Sequence, residues 1–414
     1  MPAAPRNLSA YALFAALLSA AGLPIYIHAP KFYVDEYGVS LAALGAVLFG
    51  LRLIDVVQDP LLGKLSEKLR HKRGVAVAIG AAVMALAMIG LFAVAPPVQP
   101  ILWFGAMLTL VFSGFSFLTI SFYAQGVAKA DRMGRVGHLT LARWRETGAL
   151  LGVCVAAVAP VALGAVMGAP FAGFAVGFCG LALMSVLAMR GEWHSGGTPP
   201  ASGFGPVLAD PIARKLLVIA LLNAAPVAVS STLFLFYVEI ALAAPGWEGA
   251  LLLLFFLSAA GAAPVWGRLA ERFDPKPVLL SAMGLGIVAF GGAILLGPGD
   301  VLLFALVCVG SGAVLGADLT LLPAMFAARL AKISPSAAEG FGLWAFVSKF
   351  TLAFAAVALL PALEGAGLQT GAQDNPPEAL RLLVLFYAAV PCVLKLAAIA
   401  VLATVRRGDG DEGP

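Results

Sequence analysis

Apolar runs of about 18 residues or more recur along the chain between short polar breaks, and each is long enough to cross about 30 Å of hydrocarbon at 1.5 Å per helical residue. Twelve such spans are read, at 8–29, 40–63, 74–95, 100–125, 139–165, 169–190, 213–241, 247–270, 277–296, 299–329, 340–364 and 379–405. The pattern predicts an all-α, polytopic membrane protein. Span 1 continues through Pro24 to Pro30 without a small-residue cleavage site, so it is a membrane helix and not a signal peptide. A Gly/Ser/Pro-rich connection, SGGTPPASGFGP, lies within 191–212. It is a linker between a bundle over 1–190 and a second over 213–405, with a tail at 406–414, and it leaves no room for a soluble catalytic domain.

Composition agrees with the pattern. Of 414 residues, 61% are hydrophobic and only 12% charged, with mean hydropathy +0.97, where soluble domains carry about a quarter of their residues as charges. Most of the 26 Lys and Arg fall in alternate connections and the termini, whereas Lys31 and Arg381 fall on the other side. The positive-inside rule places both termini in the cytoplasm of a cell, with a bacterial inner membrane as the expected location. The net charge of +4 is this bias, and no basic patch with interleaved aromatics points to nucleic acid. Cys154, Cys179, Cys308 and Cys392 all fall inside spans without metal-ligand spacing and read as small hydrophobes. No enzymatic motif and no cofactor motif is present.

A shift of 204 residues aligns the chain with itself. Phe32, Tyr33, Val34 and Asp35 fall on Phe236, Tyr237, Val238 and Glu239; Pro60, Gly63, Lys64, Leu65, Glu67 and Lys68 fall on Pro264, Gly267, Arg268, Leu269, Glu271 and Arg272. Two six-helix parallel repeats of this kind resemble the major facilitator superfamily, whose substrate site lies where the halves meet. Gly63-x-x-x-Glu67-Lys68 and Gly267-x-x-x-Glu271-Arg272 resemble its signature loop and the copy of that loop. Glycine permits close helix approach, and the acid with its basic neighbours is suited to a conformational latch. A plain basic turn is the alternative.

The charges inside the spans carry the chemistry. RLIDVVQDP (52–60) places Arg52, Asp55 and Asp59 in span 2, while the repeat register puts Phe256, Ala259 and Ala263 opposite them. The scaffold therefore does not require these charges, and a carboxylate at the bilayer centre costs about 2.5–3.5 kcal/mol on the insertion scale. Asp55 and Asp59, four residues apart, share one helical face. Two carboxylates there need a proton, a sodium ion or a basic side chain. Lys349 is an isolated ammonium in span 11 and needs an acidic partner, for which Asp55 or Asp59 is the candidate.

Tyr33-x-Asp35-x-x-Gly38-x-Ser40 followed by Arg52-x-x-Asp55-x-x-x-Asp59-Pro60 resembles the glycoside-pentoside-hexuronide:cation symporter family. LARWRETGALLG (141–152) and EGFGLWAFVSK (339–349) are similar to its helices 5 and 11. The resemblance implies that Asp55 and Asp59 bind the coupling cation, H⁺ or Na⁺, and that Arg145 and Tyr123 lie near the solute. The departures matter too. Ser19 and Thr119 stand where the family's sugar-binding members carry aspartates, which argues against melibiose. The family's acid after Pro323-Ala-Met325 is absent, leaving Asp318 as that helix's acid, either a second proton site or the partner of a nearby cation. Arg145 and Arg143 also fit plain membrane anchoring, and Tyr123 an interfacial belt. Ser19 and its repeat mate Asn223 suggest a symmetric polar floor, although buried serines also bond back to their own helix. Pro24 and Pro226 are expected to interrupt spans 1 and 7. Lys395 and His28 read as snorkelling and interfacial residues.

The expectation is a monomeric secondary transporter, with the bilayer, a small organic solute and a coupling cation as its partners. An amphiphile carrier of lysolipid type is the alternative, and a non-transporting membrane sensor or assembly factor is a further one. Na⁺ wants several hard oxygens while H⁺ needs a single carboxylate, which tilts the reading toward H⁺.

Overall fold

The computed structural model describes residues 7–134, 136–193, 203–333, 337–368 and 375–405, and among these the chain is helical without strands. The first half comprises α1 (Leu8–Ala20), α2 (Leu23–Tyr37), α3 (Leu41–Lys68), α4 (Arg73–Phe92), α5 (Pro100–Arg132), α6 (Gly137–Gly164) and α7 (Pro170–Met189). A short α8 (Gly205–Ala209) precedes α9 (Pro211–Phe236), α10 (Glu248–Phe273), α11 (Pro275–Gly291), α12 (Val301–Ile333), α13 (Ala337–Gly365), α14 (Pro377–Val384) and α15 (Val390–Ala403). All twelve expected spans are present, with α1 and α2 together forming the first and α14 and α15 the last. Nine helices among the described residues are long and apolar enough to cross a membrane. Residues 194–202 of the linker and the 406–414 tail lie outside the described residues.

Local chemistry explains the helix ends. Span 1 breaks at Ala21 and Gly22, and Pro24 sits in the first turn of α2, where its missing N–H costs nothing. The helix then passes through Pro30 and ends at Gly38, whose φ of 65° is the left-handed conformation that glycine adopts freely. The interruption expected at Pro226 is not found. α9 runs unbroken through that residue and finishes in a π-helical turn at Tyr237–Ala241. One lost backbone hydrogen bond is tolerated within a membrane helix, where neighbouring groups re-satisfy the freed carbonyl.

The chain forms two compact units, Met1–Val207 with Leu330–Phe346, and Leu208–Arg329 with Val347–Pro414. The internal repeat is visible within each. Tyr33, fully buried, donates from its hydroxyl to the Leu91 carbonyl at 3.2 Å; its mate Tyr237, also fully buried, donates to Ala293 at 2.6 Å. Each thereby ties the end of its unit's first span to the end of the third.

Glycine pairs four residues apart close each bundle. A side chain at Gly148 would meet the Ala12 carbonyl at 2.1 Å, and one at Gly152 the Ala16 backbone at 2.6 Å, so α6 packs directly on α1. In the second unit Gly312 and Gly316 bring α12 equally close to Phe255 and Ala259 of α10. Such small-residue contacts are how helices associate where no hydrophobic driving force separates them from lipid. The outward surface carries Leu86, Val155, Val288 and Leu302 exposed, as a lipid-facing surface does.

At the start of α9, Asp210 caps the helix by accepting from Ala213 N at 2.7 Å and also accepts from Arg329 Nε at 3.0 Å. Partial burial pushes its carboxyl up, but the hydrogen bonds from Arg329 and Ala213 outweigh this and hold it below the usual carboxylate range.

Gly152→Val should destabilise the protein by about 1–3 kcal/mol, the usual cost of overpacking, whereas Gly177→Ala, with nothing within 4 Å, should be silent. Thermal unfolding in detergent checks both. A depressed carboxyl contributes stability that is complete above the unfolded-state pKa of about 4 and is lost as pH falls through the lower folded-state value. Asp210→Asn should therefore lower the unfolding midpoint at pH 7 and remove part of its decline below pH 4.

Candidate functional site

The RLIDVVQDP stretch lies inside α3, which starts at Ser40, whose hydroxyl accepts from Ala43 N at 3.3 Å. Leu53, Val57, Leu61 and Leu65 leave one side of the helix exposed, while Asp55 is 4% and Asp59 0% exposed. The two carboxylates thus turn inward one helical turn apart, as the cost of placing them in lipid requires. Gln58 donates from Nε2 to Asp55 Oδ1 at 2.8 Å, and Ser113 on α5 donates to Gln58 Oε1 at 2.9 Å. This Ser113–Gln58–Asp55 chain fixes the acid's orientation. Neither Gln58 nor Ser113 was singled out from sequence, although Gln58 stands within the motif itself. The side chain of Arg52 lies outside the described residues. Lys349, partly buried, belongs to the second unit.

One turn beyond Asp59, the lack of a side chain at Gly63 admits α13. A Cβ there would come within 3.0 Å of the Ala338 carbonyl and 3.3 Å of Gly342 Cα, which explains why the opening turns of α13 belong to the first unit. Glu67, 4% exposed, accepts from Arg70 at 3.1 Å and pairs with Arg73 at 3.6 Å, joining the end of α3 to the start of α4. Arg73 also donates to Gln125 of α5 at 3.3 Å, and Ser66 shares a hydrogen bond with Ser121 at 2.7 Å. Lys68 is exposed. In the copy of the motif Gly267 is buried, Glu271 partly buried and Arg272 exposed at the end of α10.

A second cluster joins α5 and α6. The Arg145 guanidinium lies 3.7 Å from the centre of the Tyr123 ring, a cation–π contact, and its Nε donates to Glu146 Oε1 at 2.7 Å. Tyr123 donates to the same oxygen at 3.0 Å, and its ring meets Phe341 edge-on at 4.9 Å. Arg145 at 6% and Glu146 at 4% exposed are both buried, and Tyr123 is partly buried. Arg145 Nη2 and Thr119 Oγ1 are buried and make no hydrogen bond among the described residues. Thr119 and Tyr123, four residues apart, share a face of α5. Glu146 was missed from sequence, although it adjoins Arg145 in the quoted motif.

The reading of Lys395 as a snorkelling residue is corrected. Lys395, 8% exposed, donates to Asp318 Oδ2 and to Asn223 Oδ1 inside the second unit. The ammonium turns inward because an acid lies within reach there, and pairing offsets the cost of burying each charge. Of the two roles open for Asp318, partner of a nearby cation is the one observed. Asn223 is engaged in that pair within the second unit, and Ser19, in the first unit, sits partly buried in α1 at the helix break. His28 likewise turns inward, its Nε2 lying 2.9 Å from the Ala157 carbonyl. The four cysteines are free thiols.

Twelve spans in two repeats, with a buried carboxylate pair in the second span of the first repeat, describe a multi-pass membrane transporter and not an enzyme. Residues 8–406 match the MFS/sugar transport protein family, and the chain belongs to it. Among solved structures the chain is similar to a bacterial homologue of the iron transporter ferroportin in an outward-facing state, at 17% identity and a TM-score of 0.68 over 96% of this chain and 98% of that one. It is also similar to the major facilitator transporter FucP in the outward conformation, at 13% identity and a TM-score of 0.67 over 95% of this chain and 99% of that one. At such identities the likeness is one of fold. No curated protein sequence matches the chain.

Gly63→Leu should force α3 and α13 apart and slow the transport cycle with little change in equilibrium solute affinity. Turnover measured beside solute binding checks this, and a normal turnover rate would count against a latch.

Proposed function

We propose that the protein is a cation-coupled symporter, using a gradient of H⁺ or Na⁺ to move a small organic solute such as a sugar or glycoside by alternating access. The observation that carries the reading is the burial of Asp55 and Asp59 on α3, where the equivalent residues Ala259 and Ala263 of α10 are apolar and fully buried. A scaffold role is met by alanine in one half, so the acids in the other serve a ligand. Binding of the cation to the pair changes its charge and hence the balance among transport states, and Arg52, Lys349 and Asp318 are the further members proposed for the charge network that responds.

H⁺ is the favoured ion. Gln58 turns its NH₂ toward Asp55 and its oxygen toward Ser113, so it adds no oxygen to a Na⁺ shell, which needs several. For the solute, Arg145 stacked on Tyr123, with Thr119 one turn away, supplies a guanidinium N–H and a hydroxyl still able to bond, a combination suited to sugar hydroxyls. Ser19 and Asn223 are the other polar candidates. The amphiphile reading is favoured by Ser19 and Thr119, small neutral groups that leave the site less polar than two acids would. Both termini are expected on the cytoplasmic side of a bacterial inner membrane, with the protein acting as a monomer.

In proteoliposomes screened with sugars, organic acids and lysolipids under a pH or Na⁺ gradient, the wild type should accumulate its solute above equilibrium. Asp59→Asn should reduce accumulation to the equilibrium level while sparing solute exchange. Undiminished uphill uptake by that variant would remove the coupling site.

A further inference from the structure

The Asp318–Lys395 pair opens onto a cavity to which the coupling reading assigns no ligand. It lies within the second unit, walled by Pro226, Phe255, Phe290, Val314, Leu315 and Pro391, and its empty space, mouth included, is about 510 Å³. Asp318 and Lys395 are its charged lining residues, both more than nine-tenths buried. Two of the three ammonium donors of Lys395 are accounted for by Asp318 Oδ2 and Asn223 Oδ1. Asp318 Oδ1 makes no hydrogen bond among the described residues. The cavity's hydroxyls are spent on their own helices, Ser230 on the Val227 carbonyl at 3.3 Å and Ser311 on Val307 at 2.6 Å. What remains of the charged groups is thus one N–H donor beside one carboxylate acceptor, and the serines, their donors spent, offer only acceptor oxygens.

That combination selects its ligand. A hydroxyl both accepts and donates, and so satisfies the ammonium and the carboxylate together. A hydrocarbon satisfies neither. An amine or a carboxylate adds a net charge to a pair already neutral, leaving one buried ion uncompensated. The fold itself does not call for the pair, since α5 carries no charged residue before Lys129 and α7 carries none at all. We propose that this cavity binds a small neutral amphiphile, an apolar body bearing a hydroxyl that bridges Lys395 Nζ and Asp318 Oδ1.

Cys392 also lines the cavity and provides a local reporter that is independent of transport. The full chain in lipid nanodiscs is treated with methyl methanethiosulfonate, and modification of Cys392 is followed by peptide mass spectrometry. Toluene, benzyl alcohol, benzylamine and benzoate, near in size, are the competing probes. Benzyl alcohol should protect Cys392 at about one-tenth the concentration of toluene, the worth of one hydrogen bond to a charged group, and the two ions should protect least. Asp318→Asn with Lys395→Met, which leaves no unpaired charge, should fold and should no longer distinguish benzyl alcohol from toluene. Equal protection by toluene in the wild type, stronger protection by either ion, an undiminished alcohol preference in the double variant, or a Cys392 that no probe protects or that never reacts would each overturn the proposal.

Discussion

Moving a carboxylate or ammonium into hydrocarbon costs about 2.5–3.5 kcal/mol on the insertion scale, and the buried ions of this chain meet that cost in different ways. Asp318 and Lys395 neutralise one another across α12 and α15. Arg145 is matched by Glu146 and by the face of Tyr123. Asp55 accepts a hydrogen bond from Gln58, itself held by Ser113. These arrangements orient the polar groups as they compensate them, so the side chains available to a ligand are held in place by the same contacts that make their burial tolerable.

The comparison of the two repeats shows what the carboxylate pair displaces. In the second unit Ala259 lies against Gly316, where an added Cβ would stand 2.6 Å from the Ala259 carbonyl and 3.0 Å from Ala263 N. There the equivalent helix face is used for packing, and alanine is suited to it. In the first unit the same positions hold Asp55 and Asp59, and comparably close helix packing is made instead by Gly148 and Gly152 against α1. One duplicated scaffold thus uses the same helix face for closure in one half and for carboxylates in the other.

The spans were legible because apolar runs of membrane length leave little choice of secondary structure, and the repeat was legible because Tyr33 and Tyr237 keep one structural task in both halves. The acids of α3 were legible as buried because of the cost of exposing them to lipid. What the sequence did not reveal were partners set by tertiary packing. Lys395 was read as reaching for the membrane surface because its acid lies 77 residues away on another helix. Gln58 and Ser113 passed unnoticed because neutral polar side chains in a membrane helix often bond within it, as Ser258 and Ser281 do here. Glu146 was hidden by its place beside arginines that read as a basic rim. Pro226 misled because a proline in a membrane helix need not break it.

The central claim is that Asp55 and Asp59 exchange a cation as part of the cycle. Infrared difference spectra of the purified protein in lipid, recorded on an alkaline pH step or on addition of Na⁺, observe carboxyl groups directly. The account predicts that the wild type loses a protonated-carboxyl band, and that this change is absent from Asp59→Asn and altered in Asp55→Asn. A wild type that shows no carboxyl change under either step, or the same change retained in both variants, would contradict it.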